Sequence, residues 1–230
     1  MQIGIIGGGA AGMMAAIQTQ KADPAAKIYL FDANNTLGRK LRATGAGRCN
    51  ISNQHASAER YFTDDAQILE ECFYAMSNAE VLKCLENIGI PTIASTDGWI
   101  YPLSYSAANV VDILVSNLGN ISIMHNTLID DIQRKENGFL LGTADPHKKY
   151  AVDRLIIACG SPASPQLGGR AELYHTLAKL GHRILPVRPA LTPVEIDPAP
   201  FHKLQGVRLD VGTHLWHREK EIAHTIGNII

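Results

Sequence analysis

The sequence predicts an α/β fold: a parallel sheet crossed by helices, a β-meander beside it, and the start of a second, β-rich domain. Three observations carry this. The first 32 residues read strand, glycine turn, helix, strand, the order of a right-handed βαβ unit. Between residues 121 and 158, short apolar runs alternate with polar turns such as Asn137-Gly138, the punctuation of strands. From Arg188 the chain turns proline-rich, RPALTPVEIDPAP, a boundary composition. The expected domains are therefore 1–187 and 188–230, with a linker at about 187–200.

Each element has its own justification. Gln2–Ile6 is a short apolar run stopped by glycines, which reads as a buried parallel strand. Ala10–Gln20 sets Met13, Met14 and Ile17 among alanines and reads as a helix. Lys27–Phe31 is the second strand, ending at Asp32. The stretch from Ala33 to Asn53 is polar and aperiodic, and long loops of this kind are usually functional or disordered. Helices are expected around Asp64–Ala75, Ala79–Asn87 and Ser106–Leu118, with a hairpin turning at Asp97-Gly98. The runs Ile121–Met124, Leu128–Arg134, Phe139–Thr143 and Tyr150–Asp153 read together as the meander, and Leu155–Ala158 as another buried strand. A helix near Glu172–Leu180 follows, and the runs after the proline-rich stretch alternate like antiparallel strands.

Composition narrows the function. The formal charge is −1, from 21 Lys plus Arg and 22 Asp plus Glu, with no basic stripe; no nucleic-acid partner is expected. Cys49, Cys72, Cys84 and Cys159 lack metal-ligand spacing, and the histidines are too irregular for a metal site, so no metal and no disulfide framework are expected. The apolar N-terminus has no basic leader and is broken by glycines, and no apolar run reaches membrane-spanning length. A cytoplasmic protein with no membrane partner is the expectation. The oligomeric state is left open.

Gly7-Gly8-Gly9-Ala10-Ala11-Gly12 fits G-x-G-x-x-G, placed between a strand and a helix. In a dinucleotide site the first glycine makes the turn, the second admits the pyrophosphate, and the third lets helix and strand pack closely. The helix that begins there offers free N–H groups and the positive end of its dipole to a phosphate. The acidic residue for the ribose should follow about twenty residues later, and Asp32 lies at that spacing. Its carboxylate disfavours a 2′-phosphate, leaving NAD and FAD open. The loop that follows carries Arg39, Lys40, Thr44, Gly45, Gly47, Arg48, Cys49 and Asn50. Its cationic groups and free backbone donors suit an extended cofactor diphosphate; the plainer alternative is a solvated basic loop.

GGGAAGMMAA, LGRKLRATGAGRCNISN, IYPLSYSAANVVDIL, RLIIACG and LGHRILPVRPALTPV occur in this order. Together they resemble the YhiN-like, BaiN-type flavoproteins, also called the HI0933-like or aminoacetone-oxidase family of FAD-dependent oxidoreductases. The resemblance covers essentially the whole chain, and GRKL…TGxGRCN is its most specific element. It implies FAD in a Rossmann-type domain, with Gly7, Gly9, Ala11 and Gly12 at the pyrophosphate and Asp32, where the family usually has Glu, at the ribose. Arg39, Lys40 and the Thr44–Asn50 loop would also contact the cofactor. Ile129 matches a position that meets the adenine through its backbone, and Ala158-Cys159-Gly160 matches a turn where the chain returns to FAD.

Departures from the family pattern occur at Trp99, Ser106 and Arg170–Leu173, and are expected to affect substrate-side or second-nucleotide contacts rather than the FAD fingerprint. Family members are longer. The sequence stops inside what reads as an inserted substrate-side domain, so the expectation is a truncated piece. The implied activity is hydride transfer between NAD(P)H, as a transient electron donor, or a small-molecule substrate and an acceptor through FAD. The alternatives are an NAD-dependent dehydrogenase using the first βαβ unit, or a nucleotide-binding module without chemistry. No proton-transfer pair or other catalytic residue emerges from spacing.

Overall fold

A computed structural model describes residues 1–188, 203, 207 and 209–229. The chain divides into two compact units, Met1–Pro186 and Val187–Ile230. In the first, β1 (Gln2–Ile6), α1 (Ala10–Ala22) and β2 (Lys27–Phe31) form the opening βαβ unit. A short helix, α2 (Arg39–Ala43), runs into a tight turn at Thr44–Gly47 and then a two-residue strand, β3 (Ser52–Asn53). Next come α3 (Ala66–Ala75), α4 (Asn78–Glu86), β4 (Thr92–Ala94), β5 (Trp99–Pro102) and α5 (Ala107–Ser116). The remaining elements are β6 (Ser122–Met124), β7 (Ile129–Lys135), β8 (Gly138–Thr143), β9 (Lys149–Val152), β10 (Arg154–Ile157) and α6 (Glu172–Lys179).

The central sheet has the order β10-β1-β2-β6, and all its strands run parallel. Side chains of a strand alternate between faces, and the two faces of this sheet are covered differently. Ile3, Ile5, Ile28 and Leu30 pack with Met13, Ala16 and Ile17 of α1 and Val110 and Leu114 of α5. On the other side Ile6 and Phe31 join Ile132, Leu141 and Val152 of the antiparallel meander β7-β8-β9. Gly4 belongs to this second face: a Cβ there would lie 3.2 Å from Val152 and 3.3 Å from Leu141, so a larger residue would push the meander off the sheet. A third, small sheet, β3-β5-β4, is antiparallel.

The fold is the α/β, Rossmann-type architecture read from the sequence, with three local corrections. Ile121–Met124 is no part of the meander; β6 pairs parallel with β2 at the edge of the central sheet. It follows α5, and a strand reached through a helical crossover returns parallel, which a three-residue apolar run does not reveal. The aperiodic Ala33–Asn53 stretch contains α2 and β3; five and two residues are too few to show a period. The strand expected to be buried at Leu155–Ala158 is β10, Arg154–Ile157, with Ile157 36% exposed. β10 is an edge of the sheet, so β1 covers only one of its sides.

In the second unit, β11 (Leu209–His217) and β12 (Lys220–Ile229) form an antiparallel hairpin. Most of the proline-rich linker expected at 187–200 lies outside the described residues. No described helix is long and apolar enough to cross a membrane.

Candidate nucleotide-binding site

Segments distant in the chain meet at the carboxyl ends of β1, β2 and β10, where open α/β sheets bind ligands. One recess of about 310 Å³ is lined by Gly7, Gly9, Ala11, Asp32, Arg39, Lys40, Thr44, Ala158 and Gly160 among others. A second, narrower one of about 80 Å³ is lined by Phe31, Leu128, Ile129, Arg170, Glu172 and Leu173. The two share Gly7, Asp32, Asn34, Cys159 and Gly168, so an elongated ligand can run from one into the other.

The glycines divide by what surrounds them. Gly7 has φ +107°, and a Cβ there would strike the backbone of Ala158. A Cβ on Gly12 would strike the Gly7 carbonyl. These two are demanded by the fold. Gly9 and Gly160 have no protein atom within 4 Å of the Cβ position; at Gly9, whose φ is −81°, neither protein packing nor φ calls for glycine. Its Cβ position opens onto the recess at the mouth of α1. That helix carries no side-chain cap and no acidic residue in its first turn, so its leading N–H groups face the recess with the positive end of the dipole behind them.

Asp32 is 9% exposed at the end of β2. Its Oδ2 accepts from the Gly8 N–H at 2.7 Å, and its Oδ1 accepts from the Asn34 N–H at 2.7 Å and Asn34 Nδ2 at 2.9 Å. A carboxylate offers about four acceptor positions, so these three donors orient Asp32 and leave one position for a hydroxyl. Asn34 is itself held: its Oδ1 accepts from Arg39 Nη1 at 2.7 Å. Arg39 Nη2 donates to the Gln166 carbonyl at 3.2 Å and Lys40 Nζ to the Ser161 carbonyl at 2.7 Å. Arg39 and Lys40 of α2 thus span the recess and hold the loop after β10 against it.

The Thr44–Asn50 segment separates into parts. Thr44 lines the larger recess, while Asn50 lines a neighbouring one beside β5. Gly45 and Gly47 have φ +57° and +87°, and nothing lies within 4 Å of a Cβ at Gly47. The Arg48 guanidinium lies 5.2 Å from the Tyr101 ring centroid, a cation–π contact. Cys49 is 1% exposed within the helix-side core and lines neither recess. Burial pushes its thiol pKa up, with a Thr44 hydrogen bond pulling the other way. Cys159 lies in both recesses; burial raises its pKa too, offset in part by its own backbone and by Lys40. Neither environment favours a thiolate, which a redox or nucleophilic cysteine requires. Among the described residues, no cluster of His, Cys, Asp and Glu is arranged to hold a metal ion.

Sequence reasoning missed Asn34, Leu167 and Gly168 as lining residues. The sequence signal for Gly168 is the Gly168-Gly169 pair; in the structure it has φ +88°, and a Cβ there would sit 3.0 Å from the Asn34 amide. Arg170, Glu172 and Leu173 line the narrow recess with Asp32 and Ile129. These three departing residues therefore lie at the Asp32 end of the recess.

The model of the HI0933-like protein Rossmann domain matches residues 1–229. The chain belongs to this family. It is 34% identical over 211 residues to the 3-dehydro-bile acid delta(4,6)-reductase of Clostridium scindens, covering 91% of this chain and 51% of that protein. To the ribosomal RNA dihydrouridine synthase of Escherichia coli it is 26% identical over 203 residues, covering 87% and 50%. The chain spans about half the length of these curated relatives. Among solved structures, the Thermovibrio ammonificans THI4 protein matches with a TM-score of 0.50 at 12% identity, over 79% of this chain and 63% of that one. The Escherichia coli quinol fumarate reductase subunit FrdA matches with a TM-score of 0.50 at 18% identity, over 70% and 33%. At such identities these two likenesses concern the fold.

Proposed function

We propose that this HI0933-like chain is the FAD-holding part of an oxidoreductase. The observation that carries this is the convergence of five separate stretches on one recess: Gly7–Ala11, Asp32–Asn34, Arg39–Thr44, Ala158–Gly160 and Leu167–Gly168. The free N–H groups opening α1 receive the diphosphate, with Gly9 leaving room for its approach. Asp32 accepts from a ribose hydroxyl, and the adenine lies in the narrow recess against Leu128, Ile129 and Leu173. Arg39 and Lys40 offset the diphosphate charge, and Gly12 keeps α1 close to β1. The Gly45–Asn50 turn lies on the side toward the rest of the cofactor.

When bound, FAD supplies the two-electron chemistry, and the protein supplies position and electrostatics. In the whole protein this is hydride transfer between NAD(P)H or a small-molecule substrate and an acceptor. The reductase named among the relatives supports that reading.

The test is the absorption spectrum and mass of the small molecule that co-purifies. FAD is expected in the native chain. Gly9→Val should lose it while keeping the native circular dichroism spectrum, because the added side chain enters space open in the protein. A flavin-free native chain that ignores added FAD, or normal FAD retention by Gly9→Val, overturns the assignment.

A further inference from the structure

A recess of about 570 Å³ lies beside the small β3-β5-β4 sheet, and Asn50, His55, Arg60, Tyr61, Asp97 and Trp99 are among its lining residues. Its position follows from strand alternation. In β5, Trp99 and Tyr101 share one face and Ile100 the other; Trp99 faces this recess, and Ile100 faces a different one bounded by α3 and α4. Tyr101 is buried beneath the Arg48 guanidinium. Trp99 therefore stands on the same side of the sheet as the Thr44–Asn50 turn, and Asn50 is a wall of the recess itself. The floor is fixed: β3 pairs Asn53 with Trp99, the His55 N–H donates to Asn53 Oδ1 at 2.8 Å, and His55 Nε2 lies 3.3 Å from where a Cβ on Gly98 would stand.

The geometry points to a binding site here for a planar ring carrying an anionic group, a carboxylate or a phosphate. Trp99 is 42% exposed and Tyr61 56% exposed, and these two aromatic side chains offer area for a flat ligand. The Arg60 guanidinium and the Asn50 amide have no side-chain hydrogen-bond or ion-pair partner among the described residues. Arg60 is thus available for the forked recognition that guanidinium gives a carboxylate or phosphate. Asp97 is the one carboxylate among the lining residues and would repel the anionic group that Arg60 attracts. The ligand would sit beside the cofactor turn, as the substrate of a flavoenzyme must; the inference in this respect rests on the FAD reading.

The experiment is calorimetric titration of the 230-residue chain with 2-naphthoate and with 1-naphthyl phosphate, against the neutral 2-naphthalenemethanol. Flavin content is read by absorbance in the same samples, so loss of the cofactor and loss of this site are scored separately. At least one anionic probe should bind saturably and about tenfold or more tighter than the neutral one, equivalent to about 1.4 kcal/mol. Arg60→Ala should remove that preference with Arg60→Lys intermediate, and Trp99→Ala should weaken the anionic and the neutral probes alike at unchanged flavin content. The relative affinities of the two anions show whether carboxylate or phosphate is the better match. Equal binding of charged and neutral probes, no binding, or binding indifferent to both Arg60→Ala and Trp99→Ala overturns the proposal.

Discussion

Gly9 and Gly12 occupy one glycine motif and answer to different demands. Gly12 is held by the protein, because a Cβ there meets the Gly7 carbonyl, a backbone atom that cannot rotate away. Gly12→Ala should therefore destabilise the fold itself by about 1–3 kcal/mol, the range for overpacking. For a chain of this size each kcal/mol moves the midpoint by about 2–4 °C. Gly9→Ala should cost only the helix-start preference, about 1 kcal/mol or less, since its Cβ points into open space. Thermal melts of the two variants without added nucleotide measure the difference; equal losses would show that the motif is structural throughout. The pattern G-x-G-x-x-G is visible in the sequence, but this division of labour is not. It depends on the path of the turn, which sets the Gly7 carbonyl against Gly12 and leaves the Cβ position of Gly9 open. The same limit hides Arg170 and Glu172, which line the narrow recess with Asp32 although no local pattern connects them.

At the scale of elements, legibility follows length and locality. The unit β1-α1-β2 is readable because strand, turn and helix are each set by contiguous residues. α2 is not, because five residues show no period, although it carries Arg39 and Lys40 to the site. β6 is visible as a strand, but its parallel pairing is decided by the α5 crossover. The start of α4 shows what local sequence can specify. Ser77 Oγ accepts from the Glu80 N–H at 3.3 Å, and Glu80 Oε2 accepts from the Ser77 N–H and Oγ at 2.7 Å each, a capping box. The Ser77 hydroxyl and N–H hold the Glu80 pKa below the ordinary carboxylate value. A carboxyl whose pKa is lower folded than unfolded stabilises at pH above its ordinary value, and loses that contribution as pH falls through the folded one. Glu80→Ala should therefore lower the urea midpoint at pH 7, and the gap from the native chain should narrow on acidification. A gap that stays constant down to pH 3 would show that the carboxylate form of Glu80 contributes nothing.

At the scale of the molecule, the proposed site ties together stretches from Gly7 to Leu173 within the first unit. Among the bonds crossing it are those of Arg39 and Lys40 to the Gln166 and Ser161 carbonyls, with the Asn34 link beneath. A ligand that contacts all of these segments binds the folded unit and not the unfolded chain, so it must raise the melting temperature. Mass action sets the size: about 2.7 kcal/mol at a hundred times the dissociation constant, with each kcal/mol worth about 2–4 °C at this chain length. The identity of the ligand then follows from a comparison. In the proposed reading ADP carries the adenosine and diphosphate that α1, Asp32 and Ile129 would receive, whereas a longer cofactor would also extend toward the Gly45–Asn50 turn. FAD should accordingly raise the midpoint further than ADP at equal concentration, and NAD should fall short of FAD. Equal shifts for FAD and ADP would confine recognition to the adenosine end, and a larger shift for NAD would move the assignment to a nicotinamide cofactor.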